Sequence, residues 1–229
     1  MRFFKVTWFC ALMHHFMKVL PFNPENLKEA VSVLKQGGVI AHPIDTCFGL
    51  AGDLMNPDAF HKIQAIKGRN LQKPMSVMIS VPEQLHMKKY VKLDEFSSFV
   101  TFKLFPSPVT ILLPKGPSIP DYYFPDTPMI GLRVPLHDGT QDLLRAFKGP
   151  LITTSANPSG GGLCFKHQEV IEAFKKQTVQ PDIVFEGEVI NNDKASTIIA
   201  IEKDHIRLIR TGPITASQLR AILGVPVKE

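Results

Sequence analysis

The sequence is poor in the residues that carry redox, metal and covalent chemistry. It has three cysteines, Cys10, Cys47 and Cys164, an odd number with no CxxC pair. That argues against a disulfide framework and points to a reducing, cytoplasmic setting. The eight histidines show no HExxH or comparable spacing. His14, His15, His42 and His137 are therefore expected to be structural or surface residues, and no protein-held metal is expected. There is no G-x-x-x-x-G-K-[S/T] loop and no G-x-G-x-x-G between a strand and a helix, so the two common nucleotide motifs are absent. Ser155 stands in no G-x-S-x-G elbow and is not read as a nucleophile. Beyond the amino terminus no apolar run approaches the length of a bilayer span, so no membrane association is expected.

The amino terminus, MRFFKVTWFCALMHHF, places Arg2 and Lys5 before a short apolar run. His14-His15 interrupt the run and no small-residue cleavage site follows, which argues against a secretory signal. Residues 1–16 are read as an extension of unassigned role and residues 17–229 as one domain.

What is present suits a globular α/β chain. Of 229 residues, 44% are hydrophobic and 21% charged, enough for a sizeable core and too apolar for disorder. The formal net charge is +5 and the isoelectric point near 9.1. Such an excess fits a phosphate-bearing ligand or an RNA partner without choosing between them.

Asn23-Pro24 and Asn56-Pro57 open two helices, each with asparagine as N-cap and proline at the first helical position. Leu27, Ala30, Val31 and Leu34 form the buried stripe of the first, and Gly37-Gly38 stops it. Ala59, Ile63 and Ile66 form the stripe of the second, which runs into Lys67-Gly68-Arg69. Further helices are expected over 82–88, 93–105, 138–147, 170–177 and 216–223. Strands are expected over 39–41, 75–79, 109–113, 130–134, 151–154, 183–185, 197–201 and 206–209. Pro43 to Gly49 reads as a loop, and residues 115–128, with Pro117, Pro120, Pro125 and Pro128, as a long one. This order predicts an α/β fold with a mixed parallel and antiparallel sheet.

Several polar segments follow strands or helices. Lys67, Arg69 and Lys73 could hold phosphates, Arg through its planar fork and Lys as a point charge. The same cations could merely complement a helix end and solvate the surface. Asp45 and Thr46 lie in the loop after the first expected strand, where ligand crevices commonly form. Equally, Asp45 could bond its own backbone in a turn. Ser155 and Asn157 precede a glycine-rich stretch whose N–H groups could face an anion, or which could be a plain turn. Ser196 and Arg210 sit beside late strands, and Cys47 has no local base, so a small buried thiol is the simpler reading.

In their order, these segments resemble the YrdC-like family of threonylcarbamoyl-AMP synthases. They are PIDTCFGL at Pro43 to Leu50, KGRNLQKPMSV at Lys67 to Val77 and FPSPVTILLP at Phe105 to Pro114. They continue with IGLRVP at Ile130 to Pro135, TTSANPSGGG at Thr153 to Gly162, STI at Ser196 to Ile198 and LIRTGPI at Leu208 to Ile214. The resemblance implies a twisted mixed sheet with flanking helices and a large concave positive cleft. It implies an ATP-dependent nucleotidyltransferase that joins L-threonine, bicarbonate or CO₂, and ATP, releasing pyrophosphate. Mg²⁺ would accompany the ATP. A separate transferase would then carry the threonylcarbamoyl group to adenosine 37 of tRNAs that read ANN codons, with possible contact to tRNA. Carried over by position, Arg69 and Lys73 would hold ATP phosphates with Lys67 in support, Lys67 and Arg69 forming the catalytic pair. Thr110, Ser155, Asn157 and Arg210 would contact the nucleotide, and Thr46, Thr153 and Ser196 the threonine.

Three positions depart from the family pattern. Ile44 stands where threonine is usual, Phe48 where tyrosine is usual, and Ser107 where glycine is usual. The first two changes remove hydroxyls from the segment assigned to threonine, and the Phe48 ring is expected still to pack on the substrate. The chain ends soon after the synthase segments, as in the short form of the family. An RNA-binding module of the same fold without adenylating activity is the main alternative. A carbamoyl-adenylate enzyme of the hydrogenase-maturation type is a further one, although its zinc-finger-like cysteines are missing.

Overall fold

Side chains of a β-strand alternate between the two sides of its sheet, and that period organises this molecule. The computed structural model describes residues 17–68, 75–189 and 194–229; the extension 1–16, Arg69 and Lys73 lie outside these. The strands are β1 (Lys18–Leu20), β2 (Val39–Pro43), β3 (Phe48–Asp53), β4 (Ser76–Met78), β5 (Val109–Pro114) and β6 (Met129–Arg133), followed by β7 (Leu151–Ser155), β8 (Ile183–Phe185), β9 (Thr197–Ile201), β10 (Ile206–Arg210) and β11 (Val227–Lys228). Among the described residues these form one sheet in the order β1-β8-β2-β3-β7-β4-β6-β5-β9-β10-β11. Parallel pairs such as β2–β8 and β5–β9 mix with antiparallel pairs such as β3–β7 and β5–β6, as the element order predicts.

The helices are α1 (Pro24–Lys35), α2 (Pro57–Lys67), α3 (Glu95–Leu104), α4 (Asp138–Phe147), α5 (His167–Phe174) and α6 (Ala216–Leu223). The capping prediction holds at both asparagines. Asn23 Oδ1 accepts from Asn26 N at 3.0 Å and Asn56 Oδ1 from Asp58 N at 2.9 Å.

The two sheet faces differ. Val39, Ala41, Phe48, Leu50, Val77, Leu132 and Ile152 face the main core, with Phe60, Ile63 and Ile66 of α2, Val100 of α3, Val170 of α5 and Leu219 of α6. On the other face, Ile40, Ala51, Met78, Leu151, Ile183 and Phe185 meet Leu27, Ala30 and Leu34 of α1 and Leu143, Leu144 and Phe147 of α4. This second core covers one end of its face. Along β3, β4 and β7 alternation continues the face into Gly49, Ser76, Thr153 and Ser155, and the neighbouring β6 and β5 extend it with Gly131 and Thr110. Those residues are small or hydroxyl-bearing, and they make a floor rather than a core.

Some boundaries differ from the sequence expectation. The Pro43–Gly49 loop shrinks to residues 44–47, because β2 runs through Pro43 and β3 begins at Phe48. Gly49 and Gly52 interrupt the apolar alternation of β3, so its sequence gives no strand signal. Residues 82–89 form a 3₁₀ helix instead of an α-helix. The strands β1 and β11, of three and two residues, are too short to show a period.

One buried ion pair ties the 44–47 turn to the sheet. Arg133 Nη2 donates to Asp45 Oδ1 at 2.6 Å, with side-chain exposures of 7% and 5%. Asp45 Oδ2 also accepts from Leu136 N at 3.0 Å. Removing one member of such a pair strands a buried charge. Asp45→Ala should therefore cost about 3–5 kcal/mol in urea unfolding, and the double variant Asp45→Asn/Arg133→Met should recover much of it. A double variant as unstable as the single one would contradict this reading.

His42 is fully buried, with Nδ1 3.0 Å from Pro43 O. Burial, helped by neighbouring His137, lowers its pKa to about 3. The unfolded chain takes up this proton near pH 6.5, the folded one only near pH 3. The associated stability is complete above about pH 6.5 and drains away as pH falls towards 3. His42→Met leaves Pro43 O the hydroxyl of Thr140, which donates to it at 3.0 Å. Wild-type stability should fall relative to this variant by up to about 1.4 kcal/mol per pH unit below 6.5. Parallel urea-unfolding profiles of the two proteins would refute it.

Candidate active site

The site begins where α2 ends. Gly68 adopts the left-handed conformation at φ 68° and turns the chain away immediately after Lys67. Lys67 is 3% exposed. Its ammonium donates to Ser155 O at 2.7 Å and Asn157 Oδ1 at 3.1 Å. Ser159 N returns a bond to Lys67 O at 3.1 Å. Ser155 Oγ donates to Asn157 Oδ1 at 2.6 Å, and Asn157 Nδ2 donates to Gly161 O. The helix end and the loop after β7 are thus one hydrogen-bonded unit, with Lys67 positioning Ser155 and Asn157.

A second unit closes the opposite wall. Thr110 Oγ1 of β5 lies 2.8 Å from Ser196 Oγ, just before β9. Arg210, at the end of β10, donates from Nε and Nη2 to Ser196 O at 3.0 and 2.8 Å, and from Nη2 to Ser196 Oγ at 3.2 Å. Thr197 Oγ1 donates to Ile214 O at 2.8 Å and accepts from Gly212 N and Ile214 N. That fastens the segment following Arg210 to β9.

These units face each other across the small-residue floor. A side chain at Gly131 would crowd the floor, since a Cβ would stand 2.7 Å from Thr110 Cγ2 and 2.9 Å from Ser76 Oγ. Of the residues singled out in the sequence, Thr46, Thr110, Thr153, Ser155, Ser196 and Arg210 line a single pocket. Lys67 and Asn157 stand behind Ser155 through the bonds above. The structure adds Ile44, Cys47, Ser76 and Arg133 to the lining. Arg133 lies inside the IGLRVP segment, but its role shows only once Asp45 is brought beside it. One expectation is corrected. The Phe48 ring is fully buried in the main core, because alternation in β3 points it away from Gly49 and the pocket. It does not pack on a ligand there, so its missing hydroxyl takes nothing from the lining. Ser107 is absent from the lining too; its N donates to Val134 O at 3.1 Å.

The pocket is cationic and rich in hydroxyls. Arg210 is lowered from its ordinary value by burial and by neighbouring Arg133 but stays charged at neutral pH. Burial pushes the Cys47 thiol up and the Cys164 thiol up to about 11. Both stay protonated at neutral pH, which disfavours a thiolate nucleophile. Among the described residues no group of three or more His, Cys, Asp or Glu could hold a metal ion, and no helix is long and apolar enough to cross a membrane. Hydroxyls and guanidinium groups without a paired nucleophile and base can bind, align and neutralise an anionic ligand.

Known proteins resemble this chain in sequence and fold. A family model for Sua5, YciO and YrdC, described as telomere recombination, matches residues 32–212. A Methanocaldococcus jannaschii protein named "Putative threonylcarbamoyl-AMP synthase" is 32% identical over 214 residues, covering 91% of this chain and 98% of its own. The Homo sapiens threonylcarbamoyl-AMP synthase is 31% identical over 171 residues, covering 75% of this chain and 59% of its own. The chain therefore spans well under two thirds of the human relative's length. The structure of P. abyssi Sua5 complexed with L-threonine superposes with a TM-score of 0.81 at 22% identity, covering 93% of this chain and 62% of that one. With a family match over most of its length and this shared fold, the chain belongs to the Sua5/YciO/YrdC family.

Proposed function

We propose that the protein forms threonylcarbamoyl-AMP from L-threonine, bicarbonate or CO₂, and ATP, with release of pyrophosphate. The observation that carries this reading is the gathering of Thr46, Thr110, Thr153, Ser155 and Ser196 with Arg133 and Arg210 in one pocket. The reaction asks for such a surface. The threonine amine is its own nucleophile towards CO₂. A carbamate oxygen then attacks the α-phosphorus, the bond to the β-phosphate oxygen breaks, and pyrophosphate leaves with the electron pair. The protein needs to align three reactants and stabilise the charge that develops.

In this scheme Thr46, Thr153 and Ser196 orient the threonine, and Thr110, Ser155 and Asn157 the nucleotide. Arg69 and Lys73, with Arg210, neutralise the phosphates. Lys67 acts by holding the Ser155–Asn157 loop through its two bonds. Mg²⁺ would arrive on the triphosphate and supply further charge neutralisation. The product would pass to a threonylcarbamoyl transferase acting on tRNA in the cytoplasm. The relatives' names support the reading: the human protein is a threonylcarbamoyl-AMP synthase, and the P. abyssi Sua5 crystal holds L-threonine.

RNA binding without adenylation would use the same positive charge, but it does not call for deeply buried hydroxyls such as Thr46, Thr110 and Thr153. With ATP, Mg²⁺, labelled bicarbonate and threonine, the protein should release pyrophosphate and form labelled adenylate only when threonine is present. Arg69→Ala should lower turnover by about 100-fold or more, the usual loss for one such charge-stabilising donor. Salt-dependent tRNA binding with no threonine-dependent pyrophosphate would instead establish the RNA reading.

A further inference from the structure

Among hydroxyls and cations the pocket lining also carries the apolar residues Ile44, Cys47, Met75, Leu163, Ala195 and Ile198. Ile44 and Cys47 come from the turn between β2 and β3, beside Gly49 of β3. Cys47, kept protonated by burial, behaves there as a small apolar group. Ile44 is 2% exposed, against 1% for Thr46 and 3% for Thr153, so it sits as deep as the hydroxyl-bearing residues of the floor.

The Ile44 side chain is also fixed in place. Ile44 N donates to Cys47 O at 3.2 Å, closing the turn. Asp45, the next residue, is pinned by Arg133 and by Leu136 N. Ile44 Cδ1 lies over Gly49 so closely that a Cβ at Gly49 would stand 2.3 Å from it. The same Cβ would stand 3.3 Å from Thr153 Oγ1. The place above Gly49 is therefore filled by the isoleucine methyl, with the Thr153 hydroxyl beside it. A ligand group in the pocket meets hydrocarbon at this point of the wall.

We propose that Ile44 sets the amino-acid specificity of this pocket, favouring a β-branched side chain and weighting the branch methyl above the hydroxyl. This rests on the amino-acid-dependent synthase reading above. In this assignment the hydroxyls of Thr46, Thr153 and Ser196 hold the amino and carboxylate groups, and the wall at Ile44 faces the side chain. An apolar wall discriminates one methyl group by about 10–200-fold, yet neither demands nor strongly rejects a hydroxyl. Valine keeps the branch and lacks the hydroxyl; serine keeps the hydroxyl and lacks the branch. The pocket should therefore prefer threonine, then valine, then serine.

The test is calorimetric titration of threonine, valine and serine into the full chain with ATP present, for wild type, Ile44→Thr and Ile44→Val. Wild type should bind valine about tenfold or more tighter than serine. Ile44→Thr should abolish or reverse that order, while Ile44→Val, which keeps a branched hydrocarbon, should preserve it. Serine binding as tightly as valine in wild type, an unchanged order in Ile44→Thr, or binding of no amino acid overturns the assignment. Pyrophosphate release measured in parallel separates it from the parent reading. Binding in the expected order without pyrophosphate removes the synthase and leaves the specificity residue standing. Threonine-dependent pyrophosphate with an unchanged valine-to-serine ratio in Ile44→Thr does the reverse.

Discussion

The central constraint is that each strand of the sheet must serve two masters through one alternating pattern. Leu50, Ile152, Val77 and Leu132 are buried in the main core. Their neighbours in β3, β7, β4 and β6, Gly49, Thr153, Ser76 and Gly131, must then point the opposite way. Those positions form neither a second full core nor a solvated surface. Helices α1 and α4 cover part of that face, and the remainder stays as a floor of small and hydroxyl-bearing residues. A larger side chain at Gly131 would collide with Thr110 and Ser76, so the floor is kept low by sterics.

On that floor the side chains are held by charged groups that reach them from other elements. Lys67 fixes the Ser155 loop, Asp45 fixes Arg133 and the turn carrying Ile44 and Thr46, and Arg210 fixes Ser196. Each link joins an element end to a segment distant in sequence, which is how a loop-borne site acquires the rigidity that positioning demands. The cost is buried charge at Lys67, Asp45 and Arg133, which is tolerable only because each charge faces a partner. Cys47 fits the same logic: neutral, it adds packing to the wall and no competing charge.

Much of this was legible in the sequence where local chemistry decides structure. The Asn-Pro starts of α1 and α2, the stripe Ala59-Ile63-Ile66 and the apolar strands β5, β6 and β7 follow from capping and periodicity alone. The gathering of Thr46, Thr110, Thr153, Ser155, Ser196 and Arg210 could be expected from the family resemblance, not from spacing. β3 was hidden because its glycines, required by close approach at the floor, erase the strand signal. Arg133 was hidden because a lone arginine at a strand end acquires meaning only from Asp45, which lies far away in the chain. The orientation of Phe48 could be fixed only once the β3 register was known. Local rules reach the elements, whereas pair contacts between elements require the fold.

The most direct test of the central claim is a crystal structure of the protein soaked with ATP and L-threonine. Threonine should lie against Thr46, Thr153 and Ser196, with the nucleotide α-phosphate between that amino acid and the Ser155 loop and the Arg210 side of the pocket facing the phosphates. Nucleotide or threonine bound elsewhere, with the floor of Gly49, Ser76 and Gly131 left bare, would contradict it.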